Sequence, residues 1–386
     1  MALKISIDTL LKRFEKEFIP HNRIEVSRSA LLHNVDLFSS LSVSGESVIP
    51  VVKGNGYGHG TRQVAEALKT RKFPYIAVNS YFEALRIREV SDQPVLVMGA
   101  INPDNFARVK YDNFAFVVQD ERAINALGKT GKNLKVHLEC NTGMNRYGAD
   151  PDELKFLTKL ILSYPNLTLE GLMSHLADGD GTDPKTVEKA VKLFDECVDI
   201  VRTSGAHPSL IHLAQSAGSL KAKSKYANAF RLGIGLYGIN PFSYDHPLHD
   251  KLKTLRPALR VVSTITKVTE LKKGDRVSYN YTFTAPKDMK IGAIPFGYYE
   301  GMNRSLSNVG VVKVGEKFTP ITGRVCMNHT MISLDGLDVK TGDEVVVYSN
   351  VAEDKNTIDC IARDHNLFNY NLLTALSRDV RRVLVD

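Results

Sequence analysis

Val51-Val52-Lys53-Gly54-Asn55-Gly56-Tyr57-Gly58-His59-Gly60 runs from an apolar strand into a segment with glycine at every second position. Such glycines let the backbone turn sharply and let a bulky ligand come close. A lysine on that rim, half out of water, loses its proton easily, which suits a lysine that forms a Schiff base. By itself the segment also fits a glycine-rich turn carrying a solvated lysine.

Outward from it, short apolar runs alternate with stretches of helical period from about residue 47 to 237. The runs are Ser47–Lys53, Tyr75–Asn79, Pro94–Ala100, Phe114–Gln119, Lys135–Asn141, Leu169–His175, Leu210–Ser216 and Phe230–Tyr237. They are nearly continuous in apolar residues, as strands buried on both faces must be. The clearest helix is Pro184–Ser204: Asp183 stands at the N-cap, Pro184 in the first turn and Gly205 just past the end. Eight strand–helix units in about 200 residues predict a TIM-type (β/α)8 barrel, although the count alone also allows a doubly wound sheet. After Pro241 the pattern changes. Arg260–Leu271, Arg276–Thr284, Lys290–Tyr298, Gly310–Val314, Val325–Leu334 and Glu344–Tyr348 read as strands, and Asn369–Ser377 as a helix. The expected division is an N-terminal extension (1–22), a barrel (23–244) and a mainly-β domain (245–386). In the extension Ile7, Leu10, Leu11, Phe14 and Phe18 fall at helical spacing.

Composition narrows the class. The 386 residues are 43% hydrophobic and 24% charged, as in ordinary globular chains. No apolar run is long enough to span a membrane, and no secretory signal is evident. Cys140, Cys197, Cys326 and Cys360 show no metal-ligand spacing, so no metal is expected and a reducing, cytoplasmic setting is the default. The net charge of +7 is spread along the chain rather than gathered in a basic block, which argues against nucleic acid and suits an anionic cofactor.

Further motifs follow the lysine segment in order: Asn141-Thr142-Gly143-Met144-Asn145-Arg146, Met173-Ser174-His175, His212-Leu213-Ala214-Gln215-Ser216, Arg231-Leu232-Gly233-Ile234, Val277-Ser278-Tyr279, Ile294-Pro295-Phe296-Gly297-Tyr298 and Gly323-Arg324-Val325-Cys326-Met327. With the lysine segment they make the chain resemble the alanine racemases, from about Arg23 to the C-terminus. Independently of that resemblance, four of the five barrel motifs fall at or just past the C-terminal end of an expected strand, the rim where such barrels do chemistry. Arg231 lies early in its run.

The resemblance implies a pyridoxal 5'-phosphate enzyme that interconverts L- and D-alanine for the bacterial cell wall. Lys53 would hold the cofactor and act as one acid/base. Tyr57, Ser216 and the backbone of Gly233 and Ile234 would hold its phosphate. Arg231, supported by His212, would face the pyridine nitrogen; a guanidinium keeps its proton, so the ring nitrogen stays unprotonated and transamination is suppressed. Arg146 would meet the phenolate oxygen and the substrate carboxylate. Tyr279 would be the second base, partnered by His175, and with Met327 and Tyr298 would reach the partner subunit's barrel in a head-to-tail homodimer. Taken singly, each of these side chains has a plain structural role, as core histidine, ion-paired arginine or packing tyrosine. Only the joint pattern points to chemistry.

Four positions depart from the family pattern. Glu139 stands where a lysine that can be carbamylated is usual, and Asn141 and Asn328 replace aspartates. Arg378 aligns with a tyrosine that touches the phosphate in some members. Glu139 is expected to hold and orient Arg146. A racemase of other range (serine, lysine or arginine) remains an alternative that pocket size would decide. A barrel-type decarboxylase would place an acid, not Arg231, on the ring nitrogen. A non-catalytic cofactor-binding protein would lack the β domain.

Overall fold

The computed structural model describes residues 18–43, 47–109 and 113–386. Ile7, Leu10, Leu11 and Phe14 of the expected amphipathic extension lie outside them. All eight expected barrel strands are present: β1 (Ser47–Pro50), β2 (Ile76–Val78), β3 (Val95–Val97), β4 (Phe114–Val118), β5 (Leu134–Glu139), β6 (Leu167–Met173), β7 (Leu210–Gln215) and β8 (Ala229–Leu232). From β2 onward each pairs in parallel with the next, and β8 pairs with β1, Ile49 opposite Arg231. A parallel bridge from Val51 to Ala77 closes the ring, with the Val52 N–H donating to the Ala77 carbonyl at 2.7 Å. Closure separates a barrel from a doubly wound sheet. Ile76, Ala77, Val78, Val95 and Leu96 are wholly buried, as strands covered on both faces require. The helix Pro184–Thr203 begins as its sequence indicates, the Asp183 carboxylate accepting from the Lys185 N–H.

One strand limit needs correction, and it matters for the site. The eighth strand was expected to run Phe230–Tyr237, with Arg231 near its start. It is Ala229–Leu232, so Arg231 stands at its C-terminal end, on the rim. Gly233 (φ −93, ψ −107) breaks the extended chain, and Ile234–Tyr237 coils into a 3-10 turn.

The chain divides into two compact units, at places other than those expected. Of the described residues, those within 26–259, 349–375 and 384–386 form the barrel unit, and those within 18–25, 260–348 and 376–383 form the other. The segment 349–375 packs with the barrel because its helices, Ile358–Asp364 and Asn369–Thr374, bury Ile358, Ile361, Leu372 and Leu373. The second unit is mainly β. Its three-stranded sheet pairs Lys267–Leu271 with Met289–Ile294 and that with Thr330–Ser333, and Leu271, Val277, Ala285 and Ile291 form a core cluster. Several expected strands are shorter. Arg260–Leu271 is two strands, Val325–Leu334 is only Thr330–Ser333, and Arg276–Thr284 is a ribbon of Arg276–Val277 with Phe283–Thr284 whose tip is the turn Tyr279–Tyr281.

Candidate active site

Lys53 follows β1 at the point where the chain enters an uncommon conformation. Gly54, Asn55, Gly56, Tyr57 and Gly58 all have positive φ, between 48° and 83°. Asn55 and Tyr57 have a Cβ and occupy this region at a cost of order 1–3 kcal/mol each. Local bonds hold the turn: Gly56 N–H donates to Val52 O and Gly58 N–H to Gly54 O, both at 3.1 Å. Asn55 closes it by accepting from the Thr61 N–H through Oδ1 (3.3 Å). The strongest brace comes from outside. The buried carboxylate of Glu83 accepts the Gly54 N–H at 2.7 Å and the Asn55 N–H at 3.4 Å through Oε1, while Oε2 accepts Asn79 N–H (3.0 Å) and Ser80 N–H (3.1 Å) at the helix Tyr81–Arg88. The Lys53 ammonium is thereby held at the barrel mouth. Burial pushes its pKa down, the charges of Arg146 and Arg231 push it further, and Glu83 opposes them. A lowered pKa favours the free amine, the nucleophilic form of a lysine.

Across the mouth, Ser216, Gly233 and Tyr57 meet. The Ser216 hydroxyl oxygen accepts from the N–H groups of Gly233 (3.0 Å) and Gly235 (3.2 Å). Both lone pairs are then used, so its proton is free to be donated outward. A Cβ at Gly233 would come within 3.0 Å of the Tyr57 hydroxyl, so glycine leaves a gap framed by hydroxyls and backbone at the start of the Ile234–Tyr237 turn. That is an anion cradle of the kind found after the last strand of many barrels. Tyr370 places its ring 6.0 Å from that of Tyr57. The sequence reading missed this residue, because nothing in its local pattern ties it to the barrel. Arg378, which aligns with the phosphate-touching tyrosine, belongs to the other unit and is exposed.

Arg231 is fully buried and held by five contacts. Nη1 donates to His212 Nδ1 (2.8 Å) and His212 O (2.9 Å); Nη2 donates to Ser174 O (2.6 Å), Leu213 O (3.0 Å) and His175 Nδ1 (3.1 Å). Burial lowers its pKa to about 10, so it stays a cation at neutral pH. Both terminal nitrogens are committed, which leaves Nε–H as its donor for a ligand. His175 is pushed down to about 3, by burial and then by the charges of Arg231, Arg146 and Lys53. It is therefore neutral, and with Nδ1 accepting it carries its proton on Nε2.

Glu139 ends β5, buried, its pKa raised by burial against the pull of Arg231 and Arg146. Among the described residues it forms no ion pair or hydrogen bond with Arg146. The expected grip on that arginine is absent, and Glu139 acts on it only through space. Arg146 is exposed, on the loop that Asn141 organises. Asn141 Oδ1 accepts from Gly143 (3.1 Å) and Asn145 (3.2 Å), and its amide donates to Asn145 Oδ1 (2.9 Å) and Asp150 Oδ1 (3.0 Å).

The remaining expected residues lie in the β unit and stand exposed there: Tyr279 (69%), Met327 (55%) and Tyr298 (43%). Tyr279 caps the ribbon tip, where Ser278 (φ 64), Asn280 (φ 60) and Tyr281 (φ 52) are all left-handed. The tip is braced from behind. Ser278 Oγ donates to Arg324 O (2.7 Å), and at Gly323 (φ +80) a Cβ would come within 2.7 Å of the Ser278 Cβ, so the close approach needs glycine. Tyr298 and Tyr299 are pinned by N–H bonds to Cys326 O and Met327 O.

The barrel, its desolvated lysine and the facing cradle of hydroxyls and backbone N–H groups fit an enzyme that uses a phosphorylated cofactor. Residues 26–241 match the family model "Alanine racemase, N-terminal domain" and residues 258–384 "Alanine racemase, C-terminal domain". The chain is 32% identical over 374 residues to alanine racemase 2 of Caldanaerobacter subterraneus subsp. tengcongensis, covering 94% of each, and 32% identical over 376 residues to alanine racemase of Staphylococcus epidermidis, covering 95% and 96%. Among solved structures it resembles alanine racemase from Bacillus anthracis with bound L-Ala-P (TM-score 0.85, 29% identity, 96% of both chains) and that of Clostridium difficile 630 (TM-score 0.87, 27%, 95% and 96%). The chain belongs to the alanine racemase family, isomerases that use pyridoxal 5'-phosphate.

Proposed function

We propose that this protein interconverts L- and D-alanine in a homodimer, with pyridoxal 5'-phosphate held on Lys53 at the barrel mouth. One observation carries the reading: a desolvated lysine, a hydroxyl-and-backbone cradle and an arginine with one uncommitted donor converge on one rim. The residues fit the cofactor. Tyr57, Ser216, Gly233 and Ile234 would take its phosphate, and Arg231 Nε–H its ring nitrogen, without surrendering a proton. Bound there, the cofactor supplies a sink for the electron pair left when the substrate Cα–H bond breaks.

The chain's own residues do the rest. Arg146 holds the substrate carboxylate, while Glu139 tunes the field around it. The Lys53 amine takes or returns the Cα proton on one face. Tyr279 of the partner subunit serves the other face, with Met327 and Tyr298 lining the pocket beside it. His175 supports Tyr279: neutral, with its proton on Nε2, it can donate to a phenolate oxygen and stabilise it. The left-handed tip that projects Tyr279 from the β unit suits a group meant for another chain. The expected product, D-alanine, suits cell-wall synthesis. The four free thiols, and the lack of any described helix long and apolar enough to cross a membrane, suit a cytoplasmic enzyme.

The test is a chiral assay of the purified, cofactor-loaded protein on alanine, with serine, lysine and arginine in parallel. Equilibration of alanine from either enantiomer supports the reading. No turnover of alanine, or faster turnover of another amino acid, refutes the substrate assignment.

A further inference from the structure

A chain of polar side chains crosses the barrel core below the mouth, where such barrels ordinarily stack aliphatic residues. Its members His212 and His137 are wholly buried. Arg231 Nη1 donates to His212 Nδ1 at 2.8 Å. A guanidinium has no acceptor, so Nδ1 carries no proton and Nε2 must carry it. His212 Nε2 lies 2.8 Å from His137 Nδ1. The same logic passes one residue on: His137 Nδ1 accepts and its Nε2 holds the proton. That Nε2–H faces the Glu170 carboxylate, with Oε2 at 3.6 Å. Glu170 is itself fixed by the Tyr75 hydroxyl on Oε2 and by Lys135 Nζ on Oε1 (2.5 Å). Tyr75 precedes β2 and Lys135 is the second residue of β5, so the chain ends near the rim opposite the mouth.

Two local features accommodate it. A Cβ at residue 171 would lie 2.4 Å from His137 Nδ1, so only glycine leaves room for the ring. The β5–β6 pairing runs Val136 to Leu169 and then His137 to Gly171, so Glu170 is an inserted residue. Bulges of this kind re-aim a side chain and persist for a purpose. Burial depresses the pKa of both histidines, so neither takes the second proton that would set two N–H groups against each other. Burial works against the Glu170 charge, but its contacts with His137, Lys135 and Tyr75 prevail and hold its pKa at about 2.

We propose that His137 and Glu170 are positioning residues for Arg231: His137, oriented by Glu170, accepts from His212 Nε2–H, fixes the ring plane of His212 and reinforces the tautomer that Arg231 sets, which keeps both Nη groups of Arg231 occupied and aims Nε–H at the cofactor. The inference rests on the assignment of Arg231 to the cofactor ring. The chain has a cation at one end, a carboxylate at the other and two neutral rings oriented alike between them. His137→Phe removes the acceptor for His212 Nε2–H; His137→Gln can restore it, since an amide both accepts and donates.

Histidine-15N-labelled protein, with and without pyridoxal phosphate, reports the ring tautomers directly, and kcat and KM are measured on the loaded enzyme. In the unmodified protein both rings should show the Nε2–H tautomer. His137→Phe should displace the His212 ring signals even without cofactor, and should lower kcat by about 10–100-fold with little change in KM, the scale of a misplaced catalytic group. His137→Gln should recover most of both. Glu170→Ala, near the surface, should give a smaller loss of the same sign, and it carries the test if His137→Phe does not fold. Unchanged His212 signals in these variants overturn the inference. Signals that change while turnover per bound cofactor does not overturn the positioning role, and place the fault in the assignment of Arg231 rather than in the hydrogen-bond chain.

Discussion

Replacing Glu83 by glutamine keeps the side chain's shape but leaves one acceptor oxygen where there were two. The two carboxylate oxygens serve separate clients: Oε1 the turn after Lys53 (Gly54 at 2.7 Å, Asn55 at 3.4 Å), Oε2 the helix start (Asn79 at 3.0 Å, Ser80 at 3.1 Å). Whichever way the amide sits, its NH2 faces backbone N–H donors. If its oxygen keeps the helix start, the shortest bond of the set is lost and the left-handed turn loses its outside brace. A hydrogen bond to a charged group contributes about 1.5–3 kcal/mol. At roughly 2–4 °C per kcal/mol for a unit of this size, Glu83→Gln should lower the melting temperature by about 3–12 °C. It should also impair cofactor loading, because the turn that aims Lys53 is released. The measurements are thermal melting of the cofactor-free protein and the fraction of pyridoxal phosphate fixed by borohydride. A variant that melts within 1 °C or so of the parent and loads fully would refute the brace, since no amide orientation satisfies both clients.

Lys53→Ala should abolish racemisation, and borohydride reduction of the parent followed by peptide mass spectrometry should find the cofactor on Lys53; another lysine would overturn the site. Tyr279→Phe should slow racemisation in both directions by roughly 10²–10⁴-fold, while deuterium exchange on the face served by Lys53 persists; equal loss on both faces contradicts two bases. Mixing Lys53→Ala with Tyr279→Phe subunits should restore one competent site per heterodimer, and no recovery after proven exchange would place both residues in one chain's site. Stability should fall as pH drops below about 6.5: His137 and His212 are neutral when buried but gain protons on unfolding, about 1.4 kcal/mol per pH unit each once fully below the unfolded value; equal urea midpoints at pH 7.5 and 5.5 would contradict this.

The barrel was legible because its strands carry their own signature. Runs buried on both faces cannot be polar, and each was bounded by turn or capping residues. The β unit was less so, because its strands are short and its important turn depends on φ. Nothing in Val277-Ser278-Tyr279 announces that Ser278 adopts a conformation other residues rarely take, so the segment read as one strand. Arg231 was read too early in its strand because Gly233 and Ile234–Tyr237 continue the apolar pattern after the backbone has left the sheet. Glu83 was not picked out in the sequence: its bond to Gly54, 29 residues back, is a tertiary contact without a local sign. His137 lies between Val136 and Leu138 in the expected strand Lys135–Asn141, outside every motif. Its significance depends on a bulge at Glu170 and a glycine at 171, and neither is visible from periodicity.

The departures from the family pattern become coherent once charge is counted locally. At Asn141 the usual aspartate would set its carboxylate against that of Asp150, 3.0 Å from the present amide nitrogen; asparagine donates to it and still accepts from Gly143 and Asn145. Asn328 repeats the solution in the β unit. Its amide donates to Glu300 Oε1 at 2.8 Å, and Glu300 Oε2 accepts the Gly297 N–H at 2.8 Å, next to Tyr298. In both places an amide stands beside a carboxylate, so the loop keeps its acceptor without gathering two negative charges. Glu139 belongs to the same account from the other side. It brings a carboxyl to a rim that already holds Lys53, Arg146 and Arg231, where the charge of Arg146 lowers the pKa of both Lys53 and Arg231. Its field reaches both arginines without a contact, so its charge, rather than a fixed hydrogen bond, is what Glu139→Gln removes. That substitution should leave melting nearly unchanged while removing the charge that raises the Arg231 pKa and weakening substrate carboxylate binding, with no requirement for bicarbonate in the parent. Unaltered KM and an unaltered pH profile would show that the three cations need no counter-charge at this position.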